Sequence, residues 1–294
     1  MMTTRFLPAC ALLLSLTVSS MDGWGVEGHQ LVARLAVASL PADMPAFFRN
    51  ESERLAFLNP EPDAWRDREE QKLSSALVLG HDGDHIFKFE LYSPVTLPPD
   101  RYSLIEVLRK EGKEARLVGM LPYRAMELFQ RVRVSFRRWR TAPDTKTRQF
   151  LEARILDDAG ILGHYIADGA MPLHLSVNRN GWELAENPRQ YTRDNTLHRR
   201  FESDFVRARI HEADVRPLVR SVTVVADGLP YIHAHMRRSF DQVIPLYEME
   251  KLAPFGADDE NPEAVKFAAT RLADAVSTLR DLWYTAYYTS TSAR

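Results

Sequence analysis

Apolar positions along most of the chain recur every three or four residues, the period of a helix with one buried face. In "GHQLVARLAVASLP", Leu31, Val32, Leu35 and Ala36 predict a helix that begins near Gly28 and stops before Pro41. "NPEPDAWRD" reads as a loop or first turn, with Pro60 and Pro62 as breakers. Residues 101–140 read as two helices interrupted near "GMLP". The second, "YRAMELFQRVRVSFRRWR", ends in a strongly basic stretch, which reads as a solvated face of snorkelling Arg stems or as a phosphate- or membrane-facing patch. Residues 148–170 are again helical in pattern, 178–196 form a polar loop, and "LHRRFESDFVRARI" resumes a helix. A β-branched cluster, Val222 to Val225, fits either a buried helical turn or a short strand. Two more helices, about 229–250 and 262–286, close the chain. With no repeat, linker or break in composition, the expectation is one all-α, multi-helix domain over residues 24–294.

Residues 1–23 fall outside that pattern. One early Arg, an apolar run from Phe6 to Val18 and the small residues Ser19 and Ser20 have the layout of a secretory signal peptide, which predicts a secreted or periplasmic protein. Cleavage before Trp24 and cleavage before Met21 both fit. Cys10 is the only cysteine, so the processed chain would have none. A net charge of −2 gives no global basic field, so any contact with a polyanion must be local. The 45% hydrophobic content is enough for a large core.

The chemistry is concentrated in "GHYIADGAMPLH". His164 and Asp168 are four apart on a predicted helix, which puts their Cβ atoms about 6 Å apart on one face. Pro172 ends that helix and lets His174 return toward the same region. His198 and Glu202 repeat the four-residue spacing on the following helix. Singly, each is ordinary: a core histidine, or a surface ion pair. Burying all five together costs several kcal/mol for each unsatisfied group, and a zinc ion held by nitrogen and carboxylate ligands removes that cost.

"HYIADGAMPLH" followed by "HRRFE" resembles the H-x-x-x-D-x-x-x-x-x-H … H-x-x-x-[DE] core of the zinc-dependent nuclease and phospholipase C superfamily, which includes the fungal single-strand-specific nucleases. "WGVEGHQLVARLA" is similar to that family's mature start, so the resemblance covers residues 24–205. It implies an all-helical domain with three zinc ions in a cleft. Trp24 would bind through its free amine and carbonyl, sharing an ion with His29. His164 and Asp168 would be paired helix ligands, with Asp168 a bridge. His174, His198 and Glu202 would hold the remaining ion. An early-loop Asp is matched by Asp63 in "DAWR", with Asp67 the runner-up, and the next ligand by His85 in "HIFKFE", with His81 the competitor. His211, His233 and His235 match nothing.

The activity so implied is phosphodiester hydrolysis by a metal-activated water, with Asp63 both ligating and orienting the nucleophile. The leading expectation is a nuclease that cleaves single-stranded DNA or RNA to 5′-phosphate products, a monomer with no stable protein partner. A phospholipase C acting on phospholipid head groups is the alternative, and a non-enzymatic zinc-binding helical protein the third reading. Ile86 and Lys88 stand where the fungal nucleases carry a base-binding aromatic and Asp, so base preference is expected to be weak. Phe87 and Phe89 offer either a stacking surface or a core face.

Overall fold

The computed structural model describes residues 24–92 and 94–291, so the expected signal peptide lies outside the described residues. The fold is all-α, a single compact helical domain with no strand among the described residues. Ten helices position the site: α1 (Gly25–Ala38), α2 (Ser52–Leu58), α3 (Glu61–Ala64), α4 (Arg101–Lys110), α5 (Leu121–Arg140), α6 (Thr145–Asp168), α7 (197–209), α8 (Gly228–Phe240), α9 (Val243–Leu252) and α10 (Pro262–Tyr288). No helix among the described residues is long and apolar enough to cross a membrane.

At the centre, α1, α5, α6 and α10 pack side by side. α10 is buried along most of its length, which explains its nearly continuous run of Ala, Leu, Val and Trp283. α6 starts at Asp144, whose carboxylate accepts from Thr147 N at 2.7 Å, and becomes wholly buried from Leu162 onward. Its last two turns therefore lie in the core, and they carry His164 and Asp168. α2 approaches α6 closely because Gly160 and Gly163 face it: a Cβ on Gly160 would lie 2.4 Å from Leu58 Cβ, and one on Gly163 2.3 Å from Asn59 Nδ2.

The sequence reading holds for most elements, and three details differ. The stretch 229–250 is two helices, broken at Asp241 and Gln242, with Pro245 in the first turn of α9, where its missing N–H has no intrahelical partner to lose. Val222 to Val225 is neither helix turn nor strand but an extended run with Val222 and Val224 exposed. Side chains one turn apart on α10 replace a partner strand: Arg220 N donates to Ser277 Oγ, Thr223 N to Asp281 Oδ1 and Val225 N to Thr285 Oγ1, at 3.1, 3.0 and 2.9 Å. Finally, α7 is not uniform, because Arg200–Phe205 forms a π turn between α segments.

The basic end of α5 is part solvated and part packed, with Arg137 and Arg138 exposed. Arg131 pairs with Asp158 at 2.7 Å, and Arg140 lies over the Tyr287 ring at 4.3 Å while donating to Tyr287 O. Since α5 is 20 residues long, this end lies about 30 Å along the helix from the end that meets the His85 segment. Phe87 and Phe89 are 0% and 6% exposed and pack edge to face, so they belong to the core and offer no stacking surface.

Candidate metal centre

The site forms where four segments meet: α1, the turns 59–66, the short helix Gly83–His85 and the end of α6 with the turn that follows it, faced by α7. Gly119, at φ +103°, permits part of this approach, since a Cβ there would lie 1.9 Å from Ile86 O. Phe87 N donates to His174 O at 3.0 Å, which ties the His85 segment to the turn after α6.

Asp168 is fully buried and addresses four imidazoles. Its Oδ2 lies 2.9 Å from His85 Nδ1 and 3.1 Å from His164 Nε2, and its Oδ1 lies 3.5 Å from His29 Nε2 and 3.6 Å from His174 Nδ1. His85 Nδ1 and His164 Nε2 are themselves 2.9 Å apart. Tetrahedral zinc ligands at ~2.0–2.1 Å stand ~3.3 Å from one another, so this triangle is close to one face of such a shell. Asp63 adds a carboxylate 3.7 Å from both His85 Nδ1 and His164 Nε2, and Arg66 pairs with it. On the other side, Glu202 Oε2 is 2.7 Å from His198 Nε2 and 3.7 Å from His174 Nε2.

Donor atoms thus fall into three groups, each within 4.8 Å: His29, Asp63 and His164; His85, His164 and Asp168; His174, His198 and Glu202. Six buried polar atoms in them have no hydrogen-bond partner: His29 Nε2, His85 Nε2, His164 Nδ1, Asp168 Oδ1, His198 Nε2 and Glu202 Oε2. Each such atom costs about 1–3 kcal/mol unless something satisfies it. Neighbouring oxygens fix the tautomers. His29 Nδ1 donates to Asn59 Oδ1 at 2.9 Å, His198 Nδ1 to Asn180 Oδ1 at 3.1 Å and His174 Nδ1 to His85 O at 2.8 Å. Each Nε2 then presents a lone pair, and for His174 and His198 that lone pair faces the Glu202 carboxylate. A cation between them would be shared by both nitrogens and the carboxylate.

Burial drives the titration behaviour. It pulls the His29 imidazole down to about 4, and His85 and His198 well below their usual range. The His174 imidazole is lowered for the same reason. Burial opposes protonation of His164 too, but the Asp168 and Asp63 carboxylates outweigh it and raise the group. Burial pushes the Glu202 carboxyl up to about 8, whereas the surrounding imidazoles, His164 first, overcome burial at Asp168 and hold it well below the usual carboxylate range. Neutral His29, His85, His174 and His198 beside an ionised Asp168 are in the protonation states that metal ligands need, whereas Glu202 and His164, both raised, would give up a proton to a metal.

The structure brings His29, Asp63, His85, His164, Asp168, His174, His198 and Glu202 together. Trp24 is next to them: its Nε1 donates to Ala167 O at 2.7 Å, one residue before Asp168. The runners-up lie elsewhere. Asp67 caps the helix Arg68–Leu73 by accepting from Glu69 N and Glu70 N, and His81 packs 6.0 Å from Trp65. Of the unmatched histidines, His235 is a core residue between Ile166 O and Thr278 Oγ1, His233 lies against Phe89, and His211 caps Glu212–Val215. Reading the sequence missed Asn59, Arg66, Arg179 and Asn180. The signals were polar residues at turns, "NP" and "NRNG", and for Arg66 its place in "DAWR", where it was given no role.

Fold and site together define a class: an all-helical protein whose buried His and carboxylate groups could hold a metal ion. Comparison with protein-family models gives no match for this chain, and comparison with curated proteins gives none.

Proposed function

We propose that this protein is a zinc-dependent phosphodiesterase, a nuclease acting on single-stranded nucleic acid, exported after removal of residues 1–23. The observation that carries the proposal is the meeting of buried imidazoles and carboxylates in three adjoining groups, with His29 Nε2, Asp168 Oδ1, His198 Nε2 and Glu202 Oε2 left without a hydrogen-bond partner. Stability alone does not call for such an arrangement, because aliphatic side chains would fill the same volume at lower cost. Bound zinc would supply Lewis acidity toward a phosphate oxygen and acidify a water. The fit to zinc rests on donor chemistry: imidazole and carboxylate, with no thiolate.

The chain's own residues then have distinct tasks. Asn59, Asn180 and the His85 carbonyl hold three imidazole rings in one tautomer and one orientation. Asp63, 9% exposed at its side chain, is the carboxylate placed to accept a proton from an attacking water. Arg66 pairs with Asp63 and reaches Asp82 at 3.6 Å, which holds the Asp63 carboxylate in place. The resemblance of "HYIADGAMPLH … HRRFE" to the nuclease and phospholipase C superfamily supports the same reading.

The test is hydrolysis by purified, zinc-supplemented protein. Single-stranded oligonucleotides should be cut to 5′-phosphate products, and a chelator should abolish cutting. Release of phosphocholine from phosphatidylcholine with intact oligonucleotides would replace the nuclease with the phospholipase. Metal binding with neither activity would leave a zinc-binding protein.

A further inference from the structure

Lys88 follows His85 by three residues on a segment tied to the turn at His174, and Arg179 precedes Asn180, which holds His198; the donor groups account for neither cation. Arg179 is 8% exposed, and its Nε, sealed from solvent, has no hydrogen-bond partner. Among the described residues neither side chain has a hydrogen bond or close ion pair. The charges that reach Arg179 are those of Glu202, Arg66, Asp82 and Asp168, and those that reach Lys88 are Arg179, Glu183 and Glu90. Glu90 is already engaged by Ser176 Oγ at 2.5 Å and Val177 N at 3.1 Å, and Glu183 is exposed. Once Glu202 and Asp168 serve a cation of their own, little remains to offset Arg179. A buried guanidinium with an unpartnered Nε is costly unless an anion completes it.

The backbone on either side of both residues is fixed. Asn178 O accepts from Tyr247 OH at 2.8 Å, Asn178 Oδ1 accepts from Glu183 N and Leu184 N at 3.0 and 3.2 Å, and Asn180 is tied to His198. Lys88 N donates to Val118 O at 2.7 Å, next to the Phe87–His174 link. Rigid backbone lowers the entropy lost when the two cations grip a ligand. Burial first, and then the Arg179 guanidinium, lowers the Lys88 ammonium, which an arriving anion would raise again.

We infer that Lys88 and Arg179 form a phosphate subsite beside the metal groups, which takes the phosphodiester next to the one being cleaved. The inference rests on the phosphodiesterase reading and deepens it by naming the substrate. A single nucleic-acid strand repeats its phosphate at every nucleotide, so a second anion always accompanies the scissile one. Phosphatidylcholine offers one phosphate and a quaternary ammonium, which two cations repel. Arg179 supplies a planar fork for two phosphate oxygens, and Lys88 a point charge.

The test is equilibrium binding of fluorescein-labelled oligothymidylate to zinc-loaded protein, by anisotropy over a salt series, in an Asp63→Asn background that slows cleavage. Lys88→Met and Arg179→Met should each weaken binding about tenfold and each lower the slope of log affinity against log salt by about 0.7. Lys88→Arg should restore both, and Lys146→Met, exposed at the far end of α6, should change neither. Melting curves show whether Arg179→Met still folds; Lys88→Met, at a half-buried position, keeps the test decisive if it does not. Wild-type affinity and salt slope in Lys88→Met would overturn the subsite, as would faster phosphatidylcholine hydrolysis by Lys88→Met with unaltered oligonucleotide binding. If the wild type hydrolyses no phosphodiester, the functional reading fails separately, and the anisotropy still decides whether the subsite exists.

Discussion

Asp168 is the residue on which the centre turns, because each of its oxygens faces two imidazoles. His174, by contrast, reaches Glu202 on one side and has its Nδ1 committed to the His85 carbonyl. Asp168→Ala should therefore empty two of the three donor groups, and His174→Ala one, as counted by elemental analysis of the purified variants. Equal losses in the two variants would contradict the bridging role. Trp24 carries a second prediction: if its amine is a ligand, N-terminal sequencing of exported protein should give Trp24 first, and a mature start at Met21 with full metal content would show the amine to be dispensable. The spacing of His164 to Asp168 and of His198 to Glu202 was legible, since four-residue steps on a helix put both side chains on one face. The residues that orient the rings were not. Asn59 and Asn180 belong to turns, where Asn is common for reasons of backbone geometry, so their contacts depend on long-range packing.

Between elements, the critical approach is α2 onto α6. Gly163 leaves room for Asn59, and Asn59 holds His29, so a small side chain at 163 acts on the metal centre through two contacts. Gly163→Ala should weaken metal binding about tenfold while the far end of α6 stays folded, measured by competition with a chelator and by circular dichroism. On α10, Asp281 accepts from Thr223 N and Tyr231 OH and pairs with Arg280 at 2.7 Å, and Arg280 caps the carbonyls of Arg220 and Ser221. Asp281→Ala should cost about 3–5 kcal/mol in denaturant unfolding, because it strands a buried guanidinium. A loss below ~1 kcal/mol would mean that the 220–225 run is held by something else. This arrangement explains why Val222 to Val225 read ambiguously. A β-branched run suggests strand, but the hydrogen-bond partners are α10 side chains, which no local pattern reveals. The break between α8 and α9 was hidden in the same way, since apolar spacing continues across it.

For the whole molecule, the helical class and the order of the long helices followed from periodicity, because buried faces on α1, α5 and α10 impose it directly. What periodicity does not carry is that the buried polar cluster lowers stability unless cations fill it. Removing metal should therefore lower the melting temperature as well as any activity. The central claim is most directly tested by elemental analysis of exported, purified protein alongside its melting curve before and after chelation. The account predicts zinc at one ion for each of the three donor groups and a clear fall in melting temperature on stripping, reversed by added zinc. Protein that contains no zinc, binds none when it is supplied and melts identically with and without chelator would contradict it.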